Sequence, residues 1–244
     1  MNFKFLLPAL ALVSTATSQA QTPDAKQIME AARISTTVTK LDKSAPLNGT
    51  LRPKSTGKKI PIALFLNGKN IQFQFSEDNG SSWQAYHMRL GDNAYNLFEI
   101  VNGQTKTFPN AKLVQPIAGT DLTYEDLSFR FFYWPNPVLE GIENVNGQSC
   151  YKLRLNKPKG SGGRYEVVYV WVHTKFGAFM RIRGHDKSGA LLKQFEVEDV
   201  MQIDKNTWTL RKMEVATYNG SDRKQSITDV VFDAPKKTIP RGVR

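Results

Sequence analysis

The sequence predicts a mainly β protein: an antiparallel meander that closes, or nearly closes, on itself, preceded by one helix. Period-two alternation of apolar and polar residues recurs in short runs along most of the chain, as in Ile71-Gln72-Phe73-Gln74-Phe75-Ser76. The joints between runs carry turn dipeptides, among them Asn67-Gly68, Asn79-Gly80, Gly91-Asp92, Asn102-Gly103, Asn146-Gly147 and Asn219-Gly220. Helical periodicity is confined to one stretch near the N terminus.

Taken in order, the chain opens with Lys4, an apolar run over residues 5–13 and the small residues Ser18 and Ala20 around Gln19. This is the pattern of a secretory signal cut after Ala20. The apolar run is shorter than the roughly 20 residues a membrane-spanning helix needs. A lipidated product needs a Cys at the cleavage site, and the single Cys is Cys150. The expectation is an exported, unlipidated chain with one domain over residues 21–244, since no composition shift or linker divides it. Thr22-Pro23-Asp24 reads as a helix start. Ile28, Met29 and Ala32 then give a thin apolar stripe ending near Arg33, suited to a helix laid across a surface.

Candidate strands follow near residues 47–53, 60–66, 70–76, 83–90, 94–101, 104–108, 127–134, 148–155, 164–172, 178–185, 190–200, 207–217 and 225–232. Between the sixth and seventh, Thr120 or Asp121 is placed to cap a short helical turn through Asp126, which feeds an aromatic strand. In the run Tyr165, Val167, Tyr169, Trp171 against Glu166, Val168, Val170, Val172 both faces are largely apolar, so both must be covered.

Composition narrows the function. A formal net charge of +11 and a pI near 9.7 describe a surface that attracts anions. Export argues against nucleic acid as the partner. Arg52, Lys54, Lys58 and Lys59 sit around one turn, and Lys157, Lys159 and Arg164 around another. His87, His173 and His185 have no metal-ligand spacing, and no nucleophile elbow, zinc-protease or phosphate-loop motif is present. Glu125-Asp126 and Glu198-Asp199 are adjacent pairs, which a strand points to opposite faces. Catalysis, a metal and a cofactor are therefore not expected. Cys150 reads as a small apolar filler.

The run Gly119-Thr120-Asp121-Leu122-Thr123-Tyr124-Glu125-Asp126-Leu127 through Phe129-Arg130-Phe131-Phe132-Tyr133-Trp134-Pro135-Asn136-Pro137 resembles the central signature of the LolA-like family of outer-membrane lipoprotein-sorting proteins. Gly147 to Leu153, Val168 to Val172, Gly189-Ala190-Leu191-Leu192-Lys193, Trp208 to Met213 and Thr228 to Phe232 follow in the order that family shows. The chain departs from it at His173-Thr174-Lys175, where an Asp is usual, and in a basic ending over residues 235–240. The resemblance implies a half-open antiparallel β-barrel with the N-terminal helix and the short helical turn as lid. It also implies a periplasmic carrier that shields acyl chains of lipoproteins or lipids between an inner-membrane exporter and an outer-membrane acceptor. A sixteen-carbon chain exposed to water costs on the order of 10 kcal/mol, so such cargo needs an apolar container. On this reading Ile71, Phe73, Phe75, Phe129, Phe131, Tyr133, Tyr169 and Trp171 line the cavity. Ile28, Met29 and Ala32 form the lid, and Phe132 and Trp134 mark a docking surface. The alternative is an exported, non-catalytic β-domain with a packed interior that binds an anionic envelope polymer or assembly partner through its basic surface.

Overall fold

The computed structural model describes residues 23–37, 46–67, 69–91, 95–127, 129–203, 208–220 and 222–234. The expected export signal and the basic ending lie outside these residues. Helix α1 spans Ala25–Thr37, four residues further than its apolar stripe reaches. Six strands follow: β1 Leu47–Pro53, β2 Ile60–Asn67, β3 Asn70–Phe75, β4 Gln84–Leu90, β5 Tyr95–Val101 and β6 Gln104–Thr107. After helix α2, Tyr124–Leu127, come β7 Val138–Val145, β8 Gln148–Asn156, β9 Val167–His173, β10 Phe179–His185, β11 Leu191–Gln202, β12 Trp208–Tyr218 and β13 Lys224–Phe232.

All thirteen strands join one antiparallel sheet in the order β6-β5-β4-β3-β2-β1-β13-β12-β11-β10-β9-β8-β7. Strands β1 and β13, far apart in sequence, pair at its centre, with Leu51 opposite Val230. Strands β6 and β7 stand at opposite ends and do not pair with each other, so the barrel stays open. Turn chemistry is local, and it holds: Asn102-Gly103 and Asn146-Gly147 close two-residue hairpins with positive φ at both positions (53° and 75°; 51° and 79°).

Two expectations fail here. Residues 127–134 are not a strand. Phe129 takes a left-handed conformation and Arg130–Tyr133 form a 3-10 turn. In such a turn side chains three apart point the same way. Phe129 stacks on Phe132 at 5.6 Å, and Phe131 meets Trp134 at 6.3 Å. Leu127 to Phe131 alternates as a strand would and Phe131 to Trp134 is continuously aromatic, so the pattern does not distinguish turn from strand, and Pro135 and Pro137 then lack the N–H groups a ladder needs. The strand missed instead is β7. It is an edge strand interrupted by a register shift between Leu139 and Gly141, which breaks its alternation.

Because β6 and β7 lie at opposite edges, the chain between them must travel back over the sheet. This strap, residues 108–137, and α1 cover one face. Beneath them lies one continuous core that includes Leu51, Phe75, Leu153, Val170, Ile182, Phe195 and Val215. The other face is exposed apart from two small clusters, one around Trp171 and one around Leu191, Ala216 and Tyr218.

Candidate functional site

The covered face is the candidate site, and the strap is fixed to it by buried charge. Asp126 Oδ2 accepts hydrogen bonds from the Thr123 N–H and hydroxyl, both at 2.8 Å, and from Lys193 Nζ at 2.9 Å. Its Oδ1 accepts the Tyr165 hydroxyl at 2.6 Å. Lys193 Nζ donates also to the Asp121 carbonyl. The Asp126–Lys193 pair is almost wholly excluded from solvent. Asp121, five residues earlier, binds the centre of the sheet: Thr217 Oγ1 at 2.6 Å, Ser226 Oγ, and Thr228 Oγ1 at 2.7 Å all donate to its carboxylate. Asp126 and Lys193 pair with each other and the Asp121 carboxylate is satisfied by hydroxyl donors, as the low-dielectric interior requires.

Glu125 completes the attachment. Its Oε2 accepts the Arg164 N–H at 2.9 Å, and burial pushes its carboxyl up from the ordinary value against that bond. Gly163, at φ +94°, makes the close approach possible, because a Cβ there would overlap the Glu125 carboxylate. Tyr165 lies flat on the backbone of Gly184, where a Cβ would come within 2.5 Å of the ring. Burial, with Asp126 beside it, raises the Tyr165 phenol well above its usual value. Acidic residues in this stretch were expected as caps. Asp126 does cap Thr123, but its larger part is tertiary.

Aromatic side chains fill the space on either side of these anchors. Phe75 stacks on Tyr86 at 5.9 Å, and Tyr124 reaches over both Tyr86 and Phe108, its hydroxyl 3.1 Å from that of Tyr86. Further along the sheet, Phe129 touches Phe131, Phe132, Phe179 and Phe195. Helix α1 rests on β9 and the 3-10 turn, with Ile28, Met29 and Ala32 buried. Arg33 Nε donates to the Phe132 carbonyl at 2.7 Å and its guanidinium lies over Tyr133.

Nine of the eleven residues singled out for wall and lid are thus brought together in one core: Ile71, Phe73, Phe75, Phe129, Phe131, Tyr133, Ile28, Met29 and Ala32. Tyr169 and Trp171 are not among them. They stand on the opposite face, and β9 presents Val168, Val170 and Val172 to the core instead. Trp171 is nonetheless 4% exposed. Lys152, Arg181 and Arg183 lie over its ring at 5.5, 5.8 and 5.7 Å, and its indole N–H donates to Glu143 at 2.8 Å. Long cationic side chains, not a helix, cover that face. Phe132 and Trp134 are buried as well, so they offer no docking surface.

Lys193 was missed, although the signal was present. It alternates with Phe195 and Val197, which places it on the core side of β11. Shallow recesses open on the described surface. One, of about 240 Å³, is lined by Lys54, Ser55, Lys224, Gln225, Ser226 and Ile227. Another, of about 130 Å³, is lined by residues that include Leu97, Phe108, Leu113 and Arg130. Both fall below the roughly 300–1,000 Å³ of ordinary ligand pockets, and none of the wall candidates lines either. In this conformation the wall residues pack on one another and on the lid. Among the described residues no cluster of three or more His, Cys, Asp or Glu is placed to hold a metal.

This architecture has known counterparts. A LolA superfamily protein from Nitrosomonas europaea superposes with a TM-score of 0.64 at 18% identity, over 87% of this chain and 92% of that one. A putative outer membrane lipoprotein-sorting protein domain from Vibrio parahaemolyticus gives 0.63 at 16%, over 86% and 92%. A DUF1329 family protein from Desulfovibrio piger gives 0.62 at 20%, over 87% and 92%. At these identities the likeness is one of fold. No curated protein matches. Residues 77–238, more than half of the chain, match a family model described as an uncharacterized protein. With that match the chain belongs to the family which that model describes, and its resemblance to the LolA-like proteins holds at the level of the fold.

Proposed function

We propose that this protein is a non-catalytic periplasmic carrier that takes an acyl chain, of a lipid or a lipoprotein, onto the covered face of its open sheet and delivers it toward the outer membrane. The observation that carries this reading is the way the face is covered. Neither a second sheet nor barrel closure seals it. Two separate pieces of chain do, and one of them, α1, lies on β9 and the aromatic turn with Ile28, Met29 and Ala32 buried in the shared apolar core. Lifting α1 removes Ile28, Met29 and Ala32 from the wall and leaves an apolar groove in their place. A long acyl chain offers comparable apolar area, so exchanging helix for cargo keeps the wall dry. The lipoprotein-sorting description of the Vibrio counterpart agrees with this reading.

Mass spectrometry of the natively purified mature chain tests it directly. An acylated molecule should be retained, and an apolar fluorescent probe should bind in competition with fatty acids. Met29→Ser weakens the lid without touching the sheet and should speed probe uptake. A chain that carries no amphiphile and takes up no probe, with or without Met29→Ser, is a packed adaptor and not a carrier.

A further inference from the structure

The meander sorts the charge of the molecule in a way the linear sequence hides. Strand order places the β1–β2, β12–β13, β10–β11 and β8–β9 loops side by side along one rim of the sheet. Those four loops carry Lys54, Lys58 and Lys59; Arg223 and Lys224; Lys187; and Lys157, Lys159 and Arg164. Against these nine bases stand Asp222, Asp186 and Glu166, three acids, which leaves the four loops at +6, while the β3–β4 loop beyond them on the same rim adds Glu77 and Asp78. On the described turns of the opposite rim the bases are Lys69 and Lys175.

Some of the nine are committed to the fold. Lys54 and Lys224 grip Glu214 from either side, and Lys157 pairs with Glu166 at 3.0 Å. Lys58, Lys59, Lys159, Arg164, Lys187 and Arg223 are exposed and form no ion pair among the described residues. The 240 Å³ recess, with the Lys54 and Lys224 ammonium groups in its wall, opens within the same array.

We propose that this rim is an electrostatic docking surface for an anionic lipid bilayer. Two features select a bilayer over an acidic protein. The unpaired bases are spread along seven inter-strand spacings of about 4.8 Å, roughly 30 Å of rim, which matches an extended sheet of charge. The four loops also lack an exposed large apolar side chain among their described residues, the exposed Trp83 of this rim lying outside them in the acidic β3–β4 loop, whereas protein interfaces centre on aromatic and aliphatic anchors. Basic arrays need no such anchor to hold a phospholipid surface. The inference does not depend on the carrier reading, because a packed adaptor with this rim docks equally well.

The test uses the mature chain and vesicles of phosphatidylcholine with and without phosphatidylglycerol, in co-sedimentation. Binding should require phosphatidylglycerol and disappear in 0.5 M salt, where screening shortens the reach of each charge to about 4 Å. Each neutralised base should weaken binding roughly fivefold. Lys58→Gln with Lys187→Gln should therefore lose roughly twenty-five-fold, while Lys69→Gln with Lys175→Gln on the opposite rim loses less than threefold. Acyl content of the variants should equal that of the parent chain, which separates docking from loading. Equal losses for the two pairs, equal binding to neutral vesicles, or tighter binding to poly-glutamate at matched charge would each overturn the proposal.

Discussion

The strap and α1 cover the same apolar face, yet the strap is fixed through buried charges that reach the centre of the sheet, while α1 lies on it mainly by packing. Asp121 and Asp126 tie the strap to β11, β12 and β13 and to Tyr165, so its removal would leave the Lys193 ammonium and the Tyr165, Thr217 and Thr228 hydroxyls without their partners in an apolar interior. Removing α1 strands nothing charged. Arg33 returns to water, and the apolar stripe needs only another apolar surface in its place. For the proposed carrier the difference divides the roles: the strap serves as part of the wall, and α1 is the part expected to move.

Breaking the strap's anchor should give the largest effect. Lys193→Met deletes one partner of a buried pair and should destabilise the protein by about 3–5 kcal/mol, since Asp126 keeps its charge without its counter-ion. Adding Asp126→Asn should cost far less in that background than alone, because the charge it removes is already unpaired. Urea unfolding of the single and double variants measures this. Simple additivity would show that the pair is not what holds the strap.

A smaller effect is expected at α1. Met29 is fully buried, and truncating such a side chain usually costs about 2–5 kcal/mol. A helix that undocks on its own caps that penalty at the free energy of undocking. Met29→Ala should therefore fall at or below about 2 kcal/mol, and α1 amides should exchange with solvent faster than those of residues 121–126. Equal protection of the two segments would erase the distinction between them.

What could be read in the sequence follows the range of the physics involved. Twelve of thirteen strands were legible because alternation and Asn-Gly turns are set by neighbours one to three residues away. Residues 127–134 misled because Leu127 to Phe131 imitates the alternation of a strand and the aromatic residues after it carry no period. The edge strand β7 escaped because its bulge interrupts one. The face of β9 was undecidable locally: valines and aromatics both demand burial, and what covers Trp171 comes from β8 and β10. Lys193 lay in plain view between inward positions, but a lysine there acquires meaning only when Asp126, sixty-seven residues earlier, is brought beside it. The wall was legible as composition, whereas its fastening was not.

The smallest expected effect concerns Glu125, and it is a matter of pH. Burial comes first among the causes that raise its carboxyl above the ordinary value, so the folded state holds the proton more tightly than the unfolded chain does. Its contribution is then most favourable below the ordinary carboxyl range and diminishes as pH rises through the raised value. At neutral pH the charged form works against the fold, offset in part by the Arg164 N–H. Glu125→Gln keeps an oxygen for that N–H and removes the charge. It should stabilise the strap by about 1 kcal/mol near pH 7 and by nothing near pH 4. Thermal unfolding across that interval reads the difference, and a variant destabilised at both ends would mean that Glu125, like Asp126, is held as an anion.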